Sequence, residues 1–182
     1  MPHINYALDK VSSVYCVQGG QILLIFHKKL QCWLPPGGHV EPNETSAAAA
    51  EREFLEECGV ECELINLGVE VDDGRAKSLP LPFATDKHLF SGEHYHEVNC
   101  YLARLRNPNW RIKPNYDEIT DACWFSRRGL ADLAPMFPSA KLYAEMAIYL
   151  HARQDVFRDV IAAGRAWPED TRINVLTTAI EL

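Results

Sequence analysis

The chain has 182 residues, 47% of them hydrophobic, and a formal net charge of -7. That length suits one compact domain, since domains cluster near ~100–150 residues, and the composition supplies a core. No run of Lys or Arg forms the basic stripe a nucleic-acid polymer needs, and no stretch approaches the ~20 apolar residues of a membrane helix, so both partners are excluded.

An anionic small substrate remains compatible with the acidic balance if a bound cation reverses the local sign. The N-terminus lacks a basic region followed by an apolar run, so a cytoplasmic protein without a signal peptide is expected. Cys16, Cys32, Cys58, Cys62, Cys100 and Cys123 show no zinc-type spacing and read as reduced, structural thiols.

In chain order, Val11–Val17 and Gln21–Phe26 are β-branched, aromatic-rich runs around Gln18-Gly19-Gly20, which predicts a β-hairpin. Cys32-Trp33-Leu34-Pro35-Pro36-Gly37-Gly38 is too rich in Pro and Gly for regular structure and reads as a loop. A helix follows, with Asn43 as its cap, Glu44 at its positive end, Ala47–Ala50 as strong helix formers and Gly59 as its stop. Ala47, Ala50, Phe54 and Cys58 form its apolar face, opposite a charged one. Leu64–Val71 is an expected strand, and Asp72–Gly92 a long loop. Further strands are expected at Val98–Leu105 and Ala122–Phe125, and helices at Arg127–Leu133, Lys141–Arg153 and Asp155–Ala163. In the Lys141–Arg153 helix, Leu142, Met146, Tyr149 and Leu150 share one side. Arg172–Leu182 reads as a strand or a docked tail. Nothing splits the chain, so 1–182 is expected as a single domain, with 139–182 a C-terminal helical extension packed on it.

Glu53, Glu56 and Glu57 stand at i, i+3 and i+4 on the central helix, within about a third of its circumference. Carboxylates this close repel by ~0.2–0.5 kcal/mol per pair in an isolated helix. A hard divalent cation such as Mg²⁺ or Mn²⁺ turns that cost into a gain, because it wants oxygen ligands. Arg52, four residues before Glu56, can hold a carboxylate by charge-assisted hydrogen bonds. Such a run alone is the mark of an ordinary solvated helix face.

It is not alone. From Gly38 to Val60 the chain matches, without a gap, the pattern G-x5-E-x7-R-E-U-x-E-E-x-G-U, with U a bulky apolar residue. Seven fixed letters at ~6–7% frequency each give a chance match on the order of 10⁻⁸ per starting point. This segment resembles the signature of the Nudix hydrolase family, and the hairpin before it and strands after it follow that family's order. The resemblance implies an α/β fold, an α/β/α sandwich with a mixed central β-sheet and a loop-helix-loop catalytic motif. It implies Glu53, Glu56 and Glu57 as metal ligands, Gly37 as a backbone ligand, Arg52 as the residue that orients the glutamates and Glu44 as support. It further implies Mg²⁺- or Mn²⁺-dependent cleavage of a diphosphate bond in a nucleoside di- or triphosphate, or in a nucleoside diphosphate-linked substrate. A homodimer is open to the chain, as it is to many relatives. The rival readings are a non-catalytic domain that senses a nucleotide or binds a partner, and an isomerase of diphosphate esters.

Relatives often recruit a further carboxylate from outside the motif. Glu97 is the candidate here, in His94-Tyr95-His96-Glu97, with Glu93, Asp117 and Glu118 as rivals. Alternation along a strand puts His94 and His96 on one face, where hydrogen bonding or substrate contact suits them better than metal binding. His27, Lys28 and Lys29 can meet phosphate oxygens or stand as exposed cations. Trp33, Phe83 and Tyr95 offer flat surfaces for a base. Trp33 leads because its loop adjoins Gly37, although packing under the loop is an equal reading.

Overall fold

A computed structural model describes residues 8–156 and 159–160. The strands are β1 (Leu8–Gln18), β2 (Gln21–His27), β3 (Cys32–Leu34) and β4 (Gly37–His39), followed by helix α1 (Ser46–Cys58). Then come β5 (Cys62–Leu64), β6 (Ala84–Ser91), β7 (His94–Leu105), β8 (Ile119–Ser126), α2 (Arg127–Ala131) and α3 (Pro138–His151). The expected hairpin of β1 and β2 turns at Gly19 and Gly20, whose φ values of 56° and 75° suit glycine.

Strand β1 organises the mixed sheet. It runs parallel to β7 from Leu8 to Cys16, and its other edge carries β4 first and β2 at its end, both antiparallel. β2 continues outward to β3 and β8. The free edge of β7 is shared by β6, opposite His94–Cys100, and by β5, opposite Ala103–Leu105.

Both faces of this sheet are covered, so its central strands are apolar on both sides. Val14, Cys16, Leu23 and Ile25 pack with Ala47, Ala50, Phe54 and Cys58 of α1. Tyr15, Val17, Ile22 and Leu24 pack on the opposite face with Leu130, Ala144 and Ala147 of α2 and α3. The result is the expected sandwich. The start of α1 is pinned to the sheet, since the Ser12 and Ser46 hydroxyls hydrogen-bond at 2.7 Å and the Asn99 amide donates to Ser46 Oγ at 3.1 Å.

Several expectations need correction. The segment expected as a loop over 32–38 holds β3 and the start of β4, because β2 and β1 offer unpaired edges on either side of Pro35-Pro36. Thr45 rather than Asn43 caps α1: its hydroxyl accepts from Ala48 N at 3.1 Å, while Asn43 takes a left-handed turn at φ 67°. The strand expected over Leu64–Val71 is paired only at its start, where β5 meets the end of β7. The loop expected over Asp72–Gly92 contains β6, an edge strand whose positions Asp86, His88 and Phe90 border a cavity and so show no apolar alternation. Strand β7 begins at His94 rather than Val98, and β8 extends beyond Ala122–Phe125 at both ends.

Helix α3 buries Ala140, Ala144 and Ala147 and leaves Leu142, Met146 and Tyr149 exposed, because the small side chains allow the closer approach to the sheet. Of the extension expected over 139–182, α3 packs on the second core. Residues 161–182, with Arg172–Leu182 and most of the helix expected over Asp155–Ala163, lie outside the described residues.

Phe54 is fully buried at the centre of the first core. Phe54→Ala is expected to cost about 3–5 kcal/mol, read from urea unfolding midpoints. A loss under about 1 kcal/mol would mean that α1 is anchored elsewhere.

Candidate active site

The motif assembles around one guanidinium. Arg52 Nε and Nη2 donate to the two Glu44 oxygens at 3.0 and 2.9 Å, a bidentate pair. Its Nη1 reaches Glu53 Oε1 at 2.7 Å and Glu56 Oε2 at 3.4 Å, and Nη2 also donates to the His39 carbonyl at 2.9 Å. These bonds tie the loop before α1, strand β4 and two turns of the helix to one side chain. Hydrogen bonding from Arg52 holds the Glu44 carboxyl below its ordinary value.

Glu57 sits on the other side of the cluster and is 2% exposed. Its Oε2 accepts the Gly37 N–H at 2.9 Å, which seats α1 against β4. Burial pushes its carboxyl up to about 8, against the Gly37 hydrogen bond, and the charges of Glu53, Glu118 and Glu56 push in the same direction as burial. Glu53 is also raised, by burial first, with Arg52 opposing. A Cβ at Gly38 would fall on the Glu53 carboxylate, so a larger residue there would push that side chain from its place beside Arg52. Gly59 ends the helix at φ 65°, and a Cβ on it would meet the Lys113 carbonyl at 2.6 Å.

This cluster forms one wall of a cavity of about 870 Å³. Of the sequence-predicted residues, Gly37, Arg52, Glu53, Glu56, Glu57 and His27 line it, and Lys29 joins them. Glu44 stands behind Arg52. Lys28 does not reach the cavity: its ammonium bonds the Tyr116 carbonyl, and its N–H donates to Glu118 O at 3.1 Å. Trp33 packs edge-on between Phe26 and Phe125, with ring centroids at 5.4 and 4.9 Å. Phe83 is packed edge-on against Tyr15, and the Tyr95 ring lies under Lys87 Nζ at 4.4 Å. None of these three rings lines the cavity.

Glu97 is not among the lining residues either, because alternation along β7 turns it to the opposite face from His96 and Val98. Its rival Glu118 does line the cavity. The loop bearing Glu118 is anchored on the end of α1, where Asn115 N donates to Glu57 O at 2.9 Å.

Sequence reasoning missed Tyr15, His39, Asp86, His88, Phe137 and Tyr143, all of which line the same space. Asp86 and His88 were hidden by reading β6 as a loop. His39 stands inside the motif at a variable position. His96 lines the cavity as well, and burial followed by neighbouring His39, His88 and His94 pushes its pKa down.

The NUDIX domain model matches residues 9–146. The chain belongs to the NUDIX family. It is 41% identical over 73 residues to a Bacillus subtilis (strain 168) protein provisionally named 8-oxo-dGTP diphosphatase, covering 40% of this chain and 44% of that protein. It is 39% identical over 56 residues to the Homo sapiens 8-oxo-dGDP phosphatase NUDT18, covering 29% of this chain and 17% of that protein. The chain thus matches less than half the length of either. A NUDIX-family hydrolase from Clostridium perfringens superposes with a TM-score of 0.66 at 27% identity, over 81% of this chain and 99% of that one.

The donor set of this NUDIX site fits a hard divalent cation. It consists of carboxylate oxygens, crowded enough that burial and mutual repulsion raise Glu53 and Glu57. Without metal, Glu57 favours protonation in the folded state. Folding stability should therefore fall as pH rises from the ordinary value near 4.5 towards about 8. Thermal melts of chelator-treated protein between pH 5 and 8.5 should show a falling Tm. A saturating hard divalent cation at pH 8 should restore it, by ~2.7 kcal/mol at a hundred times Kd. Glu57→Gln should flatten the pH dependence and remove most of the cation's effect. A Tm that rises with pH in the metal-free protein would contradict this electrostatic account.

Proposed function

We propose that this protein hydrolyses a diphosphate bond in a nucleoside di- or triphosphate, or in a nucleoside diphosphate-linked substrate, with Mg²⁺ or Mn²⁺ as its cofactor. The observation that carries the reading is the intact set of Glu53, Glu56 and Glu57, braced by Arg52 and Gly37, on the wall of a cavity sized for such a ligand. The relatives named for 8-oxo-dGDP and 8-oxo-dGTP support a nucleotide as the substrate.

Glu53, Glu56 and Glu57, with the Gly37 carbonyl, would hold the ion. When bound, it supplies neutralisation of the diphosphate oxygens and makes attack by water at phosphorus easier. Arg52 holds Glu53 and Glu56 in register, and its own charge is fixed by Glu44. The Gly37 N–H fixes the orientation of Glu57. Glu118, on the cavity lining outside the motif, takes the proton from the attacking water in this reading, in place of Glu97. The apolar walls around Val11, Leu34, Val98, Tyr143 and Phe137 receive the base and sugar and exclude bulk water.

The test is product release from a nucleotide panel with and without Mg²⁺, with products identified by mass. Glu56→Gln and Glu57→Gln should each lower kcat by more than about 100-fold, beyond the loss typical of a group that only supports a ligand. Glu118→Gln should lower kcat by roughly 10²–10⁴-fold. Undiminished turnover in both motif variants would overturn the ligand assignment. Silence of the folded, metal-loaded protein across the panel would overturn the hydrolase reading.

A further inference from the structure

We propose that Asp9, His94 and His96, on the sheet face where His96 borders the cavity, form a second metal site selective for a Zn²⁺-class ion. This inference does not rest on the hydrolase reading.

Strand pairing builds the site. The parallel register of β1 and β7 sets Asp9 opposite His96, and the antiparallel register of β6 and β7 sets His88 opposite His96. The pairing of β1 with β4 sets His39 opposite Val11, two residues from Asp9. Paired residues share a face, as do residues two apart on one strand. A row of imidazoles and carboxylates therefore crosses four adjacent strands on the cavity side. One ligand atom from each of Asp9, His94 and His96 lies within 4.8 Å of the others. His94 Nε2 meets Asp9 Oδ2 at 2.8 Å, and His39 Nε2 stands 3.6 Å from the same oxygen.

The second observation is His96 itself. It is 8% exposed, and its buried Nε2 has no hydrogen-bond partner among the described residues. A buried polar nitrogen left unsatisfied destabilises the fold, and a bound ion removes that cost by accepting the ring lone pair. Surrounding groups support the arrangement. Phe90 stacks on the His96 ring at 4.3 Å and 14°, and Asp86 Oδ1 orients His88 through its Nδ1 at 2.9 Å.

The chemistry separates this site from the motif. Imidazole nitrogens with one carboxylate suit Zn²⁺, Co²⁺ or Ni²⁺, whereas a purely carboxylate set suits Mg²⁺ or Mn²⁺. His39 links this cluster to the motif: its ring stands near Asp9 while its carbonyl accepts Arg52 Nη2 at 2.9 Å.

The experiment uses untagged, full-length protein, stripped with chelator and then titrated with Zn²⁺ alone. Bound metal is read by elemental analysis after desalting and by the shift in Tm. Wild type should retain one equivalent of Zn²⁺ with a raised Tm, and so should the Glu56→Gln/Glu57→Gln variant. Asp9→Asn/His94→Ala, which alters two partly exposed side chains and leaves buried His96 in place, should bind at least tenfold more weakly. Its metal-free Tm, compared with that of wild type, checks that it is folded. Should that double variant fail to fold, His94→Gln alone decides by the same two readouts. Co²⁺ loading should add a visible absorption band in wild type that is missing from the histidine variant. The proposal is overturned if wild type retains no Zn²⁺, if the histidine variant binds like wild type, or if Zn²⁺ is lost only from the glutamate variant.

Discussion

A carboxylate buried against a backbone N–H connects the main parts of this molecule. Glu57 leaves the helix on its inner side and takes its hydrogen bond from Gly37, twenty residues earlier in the chain. That contact requires α1 to lie flat on the sheet, which Phe54 and the alanines beside it on the buried side of the helix achieve. It also requires β4 to run along β1, so the short strand and the helix hold one another. One hydrogen bond is a modest return for a charge so far from water, and the raised pKa of Glu57 expresses that imbalance. The fold thus carries an electrostatic debt at the place where a cation fits.

Arg52 limits the debt without cancelling it. Its guanidinium serves Glu44 with two nitrogens and leaves single bonds for Glu53 and Glu56. Glu57 accepts its hydrogen bond from Gly37 instead, and Glu118 faces the same space. The wall therefore stays negative while its side chains are fixed, the state a divalent ion needs if binding is not to cost rearrangement. Imidazoles of His39, His88 and His96 on sheet strands line the same cavity, so it offers a second kind of donor beside the carboxylates.

Local patterns in the chain were sufficient for some of this and silent on the rest. The hairpin, the central helix and its Gly59 stop follow from glycine placement and helical spacing, which act over a few residues. The carboxylate triad was legible because residues three and four apart on a helix must be neighbours. Strand β6 was not legible. Its cavity-facing positions are Asp86, His88 and Phe90, and a polar functional face erases the alternation that marks a strand. The three aromatic candidates failed to reach the cavity for a related reason. Which face of a sheet a ring occupies depends on register, and register is decided by the partner strand. Trp33, next to the motif loop in sequence, lies between Phe26 and Phe125 in space.

The sequence by itself determined the family, the helix that carries the glutamates and the fact that they share one side of it. Those properties rest on spacing within a single element, where geometry is set by the backbone's own period. Only the tertiary structure decided that Glu118 rather than Glu97 faces the glutamates, and that four strands gather histidines and aspartates into one row. Those outcomes depend on which strands pair, in what direction and in what register, and such contacts join residues too distant in the chain for any local pattern to record.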